Sequence, residues 1–405
     1  MQGDIVLKSK NRVKVNKVLV VGTTPPPYAG TELAIGRLLK CRMPGVKLMH
    51  ARMGFSANMS EHGRIRFSKI VKLISLVFRI IYHRLFHGVR ILYYPPSGPD
   101  RVPMYRDIAI LLTTRWMFDK TIFHFHSGGV SELYDQLPRW QRWLYRRAYY
   151  GADAAIRLSE LNPEDGLLLQ AKKDYIVPNG IEDDCPEGTL PRQVEDVTSE
   201  RPLRILFTGT VRESKGVLVL VEACGLLAER GVPFQLQIMG APRREEFLAQ
   251  LKSRISELHL EDRITFLGVR TGAEKFAPYA AADVFCMPTF METFGLAFVE
   301  AMSVGLPVIA TRWGGIPSVV DDGQTGLLVE KHDPRGVADR LETLAGDAEL
   351  RVQMGAAGRA KFEREFTLAQ HAGAMHRVLL QVASESPDPV LATPSSRPRI
   401  SSTKP

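Results

Sequence analysis

The chain has 405 residues, 45% hydrophobic and 24% charged, which excludes wholesale disorder and a fibrous repeat and gives room for two domains of ordinary size. Its net charge of +9 is unevenly spread: residues 1–180 hold 28 Lys and Arg against 13 Asp and Glu, whereas residues 181–405 hold 25 against 31. A basic half joined to an acidic half points to an anionic partner on the N-terminal side. The cysteines at 41, 185, 224 and 286 form no CxxC pair, which argues against a disulfide framework or structural zinc and fits a reducing cytosol. The polar, basic N-terminus does not read as a signal peptide, and the most apolar stretch, 70–81, is interrupted by Lys72 and Arg79, against a transmembrane span.

In chain order, residues 17–22 read as a buried strand and residues 31–40 as the helix after it. Further strands are predicted over 90–94, 121–125, 154–158 and 174–177. A second series covers 203–207, 234–239, 264–267, 283–287, 307–310 and 326–329, with helical stretches between most of them. Short all-apolar strands alternating with helices indicate parallel sheets covered on both faces. Two series predict two doubly wound α/β domains, residues 1–180 and 203–365, joined by an acidic linker over 181–202 rich in Pro and Gly. The Ser- and Pro-rich stretch 386–405 is predicted to be a disordered tail.

In open parallel sheets ligands bind at the carboxyl ends of the strands, where helix N-termini direct free N–H groups. The first such turn, from Gly22 to Glu32, contains three prolines and lacks the dinucleotide fingerprint. It is either a shaped loop that admits a ligand at Gly30 or a rigid surface loop. The turn after 203–207 contains Gly209 and then Arg212 and Lys215. Two cations three apart suit a diphosphate clamp, Arg212 through its fork and Lys215 as a point charge; the alternative is an ordinary solvated loop.

The strongest turn follows 283–287, where a helix is predicted to start around Phe294 and Gly295 and to offer its first-turn N–H groups to phosphate. Glu292 and Glu300 flank it, about 12 Å apart or somewhat less at ~1.5 Å per helical residue, a span comparable with a sugar-diphosphate-ribose unit. Glu300 sits in an apolar run, so its carboxylate needs partners, and ribose hydroxyls would serve. His124 and His126 close the strand at 121–125, with one expected to face the core and one the cleft. HxH lacks a third ligand at convincing spacing, so no metal site is expected.

These residues resemble the retaining glycosyltransferases of family 4, the group 1 glycosyltransferases. The resemblance lies in Glu292–Glu300 within PTFMETFGLAFVEAMSVGLPVIAT, in GGIPSVV at 314–320 and in DGQTGLLV at 322–329, with FTGTVRESKG and VPNGI matching the phosphate loop and the linker. It runs in order from about residue 18 to about 380 and is most specific over 203–330. It implies the GT-B architecture, two Rossmann-like domains facing across a cleft, with residues 366–385 as a helix returning to the first domain. It also implies a nucleotide-diphosphate sugar on the C-terminal domain. Glu292 and the backbone at Phe294, Gly295 and Leu296 would then hold donor sugar and phosphate, and Glu300 the ribose. Arg212 and Lys215, beside Gly209, would neutralise the leaving diphosphate, and Val269 and Arg270 would lie near the base. Gly30 would approach the diphosphate and His126 the reacting sugar. Neither metal nor cofactor is implied. The chain departs from the pattern in having one glycine, Gly30, where many relatives have two, and Ser318 where an acidic residue is frequent.

No acidic residue lies between Glu61 and Asp100, a stretch with seven Lys and Arg, including Arg64 and Arg66, and three histidines. Its segment RIRFSKIVKLISLVFRIIYHRLF has apolar residues at helical spacing, and a basic amphipathic helix there suits an anionic membrane surface, through residues 64–90. A packed helix with a solvated basic face is the alternative. The expectation is a retaining glycosyltransferase, cytoplasmic and peripheral on the cytosolic face of the membrane, acting on a lipid-linked or polysaccharide-precursor glycan. Its rivals are a nucleotide-sugar epimerase or a phosphorylase on the same fold, and a non-catalytic membrane-associated scaffold. Nucleic-acid binding is not expected, because no recognition motif accompanies the charge.

Overall fold

The computed structural model describes residues 15–26, 30–54 and 67–385; the expected tail, Arg64 and Arg66 lie outside the described residues. The first half alternates β1 (Asn16–Gly22), α1 (Gly30–Lys40), β2 (Val46–Arg52), α2 (Phe67–Phe86), β3 (Ile91–Tyr94), α3 (Arg101–Thr114), β4 (Lys120–Phe125), α4 (Arg139–Tyr149), β5 (Ala154–Arg157), α5 (Asp165–Leu168) and β6 (Asp174–Ile176). Its strands form one parallel sheet in the order β2-β1-β3-β4-β5-β6.

The second half continues with β7 (Leu203–Thr208), α6 (Val217–Glu229), β8 (Phe234–Met239), α7 (Glu245–Glu257), β9 (Ile264–Gly268), α8 (Ala273–Ala281), β10 (Val284–Met287), α9 (Leu296–Ser303), β11 (Val308–Thr311), α10 (Ile316–Val319) and β12 (Gly326–Val329). Its parallel order, β12-β11-β10-β7-β8-β9, is that of a dinucleotide-binding sheet, with the reversal between β7 and β10. Three helices close the described chain: α11 (Pro334–Gly346), α12 (Ala348–Lys361) and α13 (Leu368–Ser384).

The all-apolar strands are apolar because both faces of each sheet are covered. In the first sheet Leu19, Val21, Leu92, Phe123 and Ala155 pack under α2, α3 and α4. The alternate residues Val18, Val20, Ile91, Ile122 and Ile156 pack under α1 and against Met375, Val378, Leu379 and Val382 of α13. The last helix therefore belongs to the first sheet's core. The period-two alternation of strand side chains sends each set to its own layer.

β2 has no counterpart among the expected strands. Its sequence, VKLMHAR, mixes three basic side chains with apolar ones and is mostly half-buried. It pairs only with β1, as an edge strand, so the continuous apolar run that marks the central strands is not required of it.

Residues 182–202 carry neither helix nor strand, yet they are fastened on both sides. Glu182 accepts a 2.8 Å hydrogen bond from Arg37 Nε, and Asp183 pairs with Arg359 at 2.5 Å. The Arg192 guanidinium donates to the carbonyls of Val304, Ala282, Tyr279 and Ala280. Arg192 thus fills the unsatisfied ends of α8 and α9 from outside.

Candidate active site

Where the order of the second sheet reverses, the chain leaves β7 and β10 in diverging directions and opens a crevice at their carboxyl ends. The two loops are stitched together: Ser214 O accepts from Phe290 N at 3.1 Å and from Thr289 Oγ1 at 3.0 Å. Gly216, at φ +72°, fits because a Cβ there would lie 2.0 Å from Pro288 O. Gly295, at φ +87°, caps α9 where a Cβ would lie 2.3 Å from Phe298 Cδ2. Being glycine, it offers no side-chain cap to the first N–H groups of α9, which point at the crevice and suit an anion.

Lys215 Nζ pairs with Glu292 Oε2 across this seam, both side chains less than one-fifth exposed. The other carboxylate oxygen of Glu292 accepts from Thr293 N at 3.2 Å. Arg212 extends the cationic rim, and its Nε is buried without a hydrogen-bond partner. Burial, and then the neighbouring Arg243, lower the Arg212 pKa, with Glu292 acting in the opposite sense. A buried guanidinium N–H facing a second cation is stabilised by an incoming anion. Gly209 follows β7 at φ +155°, with open space before it: among the described residues a Cβ there would meet Met287 Sδ alone, at 3.7 Å.

Glu300 lies one layer behind, on α9, with its side chain 4% exposed. The partners that its buried carboxylate needs are supplied by the chain itself. Lys275 Nζ lies 2.5 Å from Oε1, and Tyr279 OH donates to Oε2 at 2.9 Å. Burial, and then the Glu300 charge, hold the Tyr279 hydroxyl protonated far above its usual range. Lys275 and Tyr279 both come from α8, the helix that follows the exposed turn holding Val269 and Arg270. Arg270 stands 3.9 Å from Glu274. Phe294 is buried edge-on against Phe366, so only its backbone faces the crevice, and Leu296 packs on the sheet core.

The facing sheet supplies Asn162, whose Nδ2 donates to Thr293 O at 2.7 Å and closes the distance between the halves. Gly30 begins α1, exposed, with nothing among the described residues within 4 Å of where a Cβ would stand. His126 is 9% exposed, and both its ring nitrogens lack partners. It stacks on His124, ring centroids 4.1 Å apart. The two histidines are not split between core and cleft: residues two apart on a strand share a face, and the rings stack together at the carboxyl end of β4, on the side of α13. His124 Nδ1 meets Tyr93 OH at 2.5 Å, and His371 Nδ1 on α13 meets Pro178 O at 2.7 Å. Burial, and then His371, lower the His126 pKa to about 3, so its ring is neutral at physiological pH.

Arg212, Lys215, Glu292, Gly209 and the Phe294–Leu296 backbone thus come together, while Gly30 and His126 stand on the other half. Sequence reasoning missed Lys275, Tyr279, Arg243 and Asn162. Only Lys275 carried a signal, five residues after Arg270 in the segment that follows the strand predicted over 264–267. Among the described residues no group of three or more His, Cys, Asp or Glu is placed to hold a metal ion, and no helix is long and apolar enough to cross a membrane.

The family described as "Glycosyl transferases group 1" matches residues 192–361. A D-inositol 3-phosphate glycosyltransferase of Corynebacterium glutamicum (strain R) is 40% identical over 154 residues, 37% of each chain. One from Paenarthrobacter aurescens (strain TC1) is 34% identical over 214 residues, 50% of this chain and 52% of that one. The chain therefore spans between about a third and a half of the length of these relatives. Among solved structures, Anabaena Alr3699/HepE in complex with UDP superposes with a TM-score of 0.67 at 17% identity, over 90% of this chain and 100% of that one. Sucrose-phosphate synthase from Thermosynechococcus elongatus gives 0.69 at 20% identity, over 92% and 100%. Residues 192–361 thus match the group 1 glycosyl transferases, and the chain is built on the GT-B fold of two Rossmann-like sheets facing across a cleft.

Proposed function

We propose that this protein is a retaining, metal-independent glycosyltransferase that moves a sugar from a nucleotide-diphosphate sugar to an acceptor hydroxyl. The observation that carries the reading is the crevice where Arg212, the Lys215–Glu292 pair and the uncapped start of α9 converge. The donor half is residues 203–365 and the acceptor half residues 1–180, with 181–202 between them. In the reaction the anomeric C–O bond breaks and its electron pair goes to the diphosphate. The acceptor oxygen bonds to the anomeric carbon on the face the diphosphate leaves, and its proton passes to the departing phosphate oxygen. Arg212, Lys215 and the α9 N–H groups stabilise the charge that develops on that phosphate, as preorganised donors do in a site shielded from water.

Lys215 is held by Glu292, so an arriving phosphate takes over its charge and frees Glu292 for sugar hydroxyls. Glu300, fixed by Lys275 and Tyr279, presents a preset acceptor for ribose. Val269 and Arg270 border the base. His126, neutral, serves the reacting sugar as a hydrogen-bonding group rather than as an acid, and Gly30 leaves room for the diphosphate. Since the HepE structure holds UDP, uridine nucleotides are the first donors to assay.

The acceptor reading is a lipid-linked or polysaccharide-precursor glycan, met at the cytosolic face of a membrane through the basic helix α2. The D-inositol 3-phosphate glycosyltransferases among the relatives support a second reading, an inositol phosphate acceptor. Labelled sugar recovered in the organic phase favours the first, and in the aqueous phase with added inositol phosphate the second. The test of the reaction is replacement of both cations singly. Lys215→Ala and Arg212→Ala should each lose about 10²–10³ in turnover with thermal unfolding retained. Unchanged turnover in both removes the assignment. Free sugar or an epimer as the product would instead favour a phosphorylase or an epimerase, and no nucleotide-sugar binding at all a scaffold.

A further inference from the structure

α2, α3 and α4 lie side by side on one face of the first sheet, with their inward residues in one core. Their outward side is unlike the rest of the surface. On α2, Ile70, Ile74, Phe78, Tyr82 and Phe86 repeat every fourth residue, and all are exposed. On α4, Trp140 and Trp143 are 65% and 59% exposed, and Trp116, beyond the end of α3, is 76% exposed. The three helices hold ten Lys and Arg and one carboxylate, Asp107. That carboxylate is wholly buried, bound by Tyr94 OH, Ser97 N and Arg106. Of the exposed carboxylates of this region, Asp100, Glu132 and Asp135 stand in the connections at the cleft end, and Asp119, at the other end after Trp116, is paired with Arg84 and Arg90.

We infer that this whole three-helix face, and not α2 alone, is a docking surface for an anionic phospholipid bilayer, with Trp140 and Trp143 of α4 as a second anchor. Charge complementarity selects the occupant: a face with no exposed carboxylate on its helices and cations along two of them repels few anions and attracts many. The aromatic content fits the same partner, because indole and phenol rings settle at the headgroup level with aliphatic side chains just beneath. Arg147 lies 5.3 Å from the Trp143 ring centroid, which places charge and ring at one depth. The inference extends the membrane contact read for α2. It stands apart from the transfer reaction, because vesicle binding needs no sugar donor.

The experiment uses the full chain with vesicles of phosphatidylglycerol and phosphatidylcholine, and with phosphatidylcholine alone. Three of the four tryptophans lie on this face, so intrinsic fluorescence reports directly on it. Anionic vesicles should shift the emission to the blue, bromine-labelled lipid should quench it, and neutral vesicles should do neither. Each cation near an anionic surface contributes about 1 kcal/mol, or roughly fivefold in partition. Arg139→Glu with Arg147→Glu should therefore weaken binding by roughly 25-fold or more. Trp140→Ser with Trp143→Ser should weaken it by roughly tenfold, through lost apolar burial. Unchanged thermal unfolding certifies the fold of each variant. If both α4 variants bind like the parent while Lys72→Glu with Arg79→Glu abolishes binding, α2 acts alone and the inference falls. It also falls if anionic vesicles leave the emission unchanged. In that event, a concentration-dependent dimer lost in Trp140→Ser with Trp143→Ser would assign the face to a second copy of the chain.

Discussion

His126 presents a buried imidazole whose two nitrogens have no hydrogen-bond partner among the described residues; it stacks on His124, which bonds Tyr93, and feels the charge of His371. Burial, and then His371, hold its pKa at about 3 in the folded protein. In the unfolded chain the same ring titrates near 6.5. Between these values the unfolded state binds a proton that the folded state refuses, so stability is complete above about pH 7.5 and falls as pH falls through 6.5. At pH 5 the unfolded chain gains about 2 kcal/mol from this one ring, at 1.36 kcal/mol per unit over the 1.5 units below 6.5. Burial also lowers the pKa of His124 and of His371, so both add to the loss in the same direction. The perturbation is His126→Phe, which keeps an aromatic ring on His124 and removes the titration. Urea unfolding at pH 7.5 and pH 5.0 compares each protein with itself, so any packing cost of the variant cancels. The variant should lose about 2 kcal/mol less than the parent between the two values. Equal losses would refute the reasoning and mean that His126 keeps its proton when folded.

Glu300→Gln strands Lys275 beside a neutral amide; because that lysine is about one-quarter exposed, the cost in urea unfolding should be about 1–3 kcal/mol. Nucleotide-sugar affinity measured by calorimetry should fall at least about tenfold, through loss of a charge-assisted bond. Gly295→Ala forces a Cβ into Phe298 at φ +87° and should destabilise by about 1–3 kcal/mol, read as a lowered midpoint. Arg192→Ala strips donors from four carbonyls at the ends of α8 and α9 and should cost about 2–4 kcal/mol. An unfolding curve like the parent's would show that water replaces the guanidinium.

The central strands were legible because burial on both faces leaves a continuous apolar run between glycines and prolines, as in 203–207 and 234–239. β2 was not, since an edge strand needs no such run. The turn holding Glu292 and Gly295 was legible too, because a helix start after a buried strand fixes where free N–H groups point. The partners of its carboxylates were hidden. Lys215 and Glu292 are 77 positions apart, and Lys275 and Glu300 are 25 apart. Such pairs meet only because the sheet order sets β10 beside β7. The histidines show the same division from the other side: strand geometry alone places His124 and His126 on one face, but only the return of α13 makes that face a buried one.

The asymmetry of charge is a property of the sequence alone, and it gives the first half its excess of cations. Composition could not say where on that half the cations stand. The packing of α2, α3 and α4 against one sheet face decided it, because the core takes one side of each helix and leaves the other to the solvent. The sequence by itself therefore determined which elements form and which side chains carry chemistry, through period, turn residues and burial. Only the tertiary structure decided which of them touch: that choice rests on contacts between residues far apart in the chain, which no local pattern encodes.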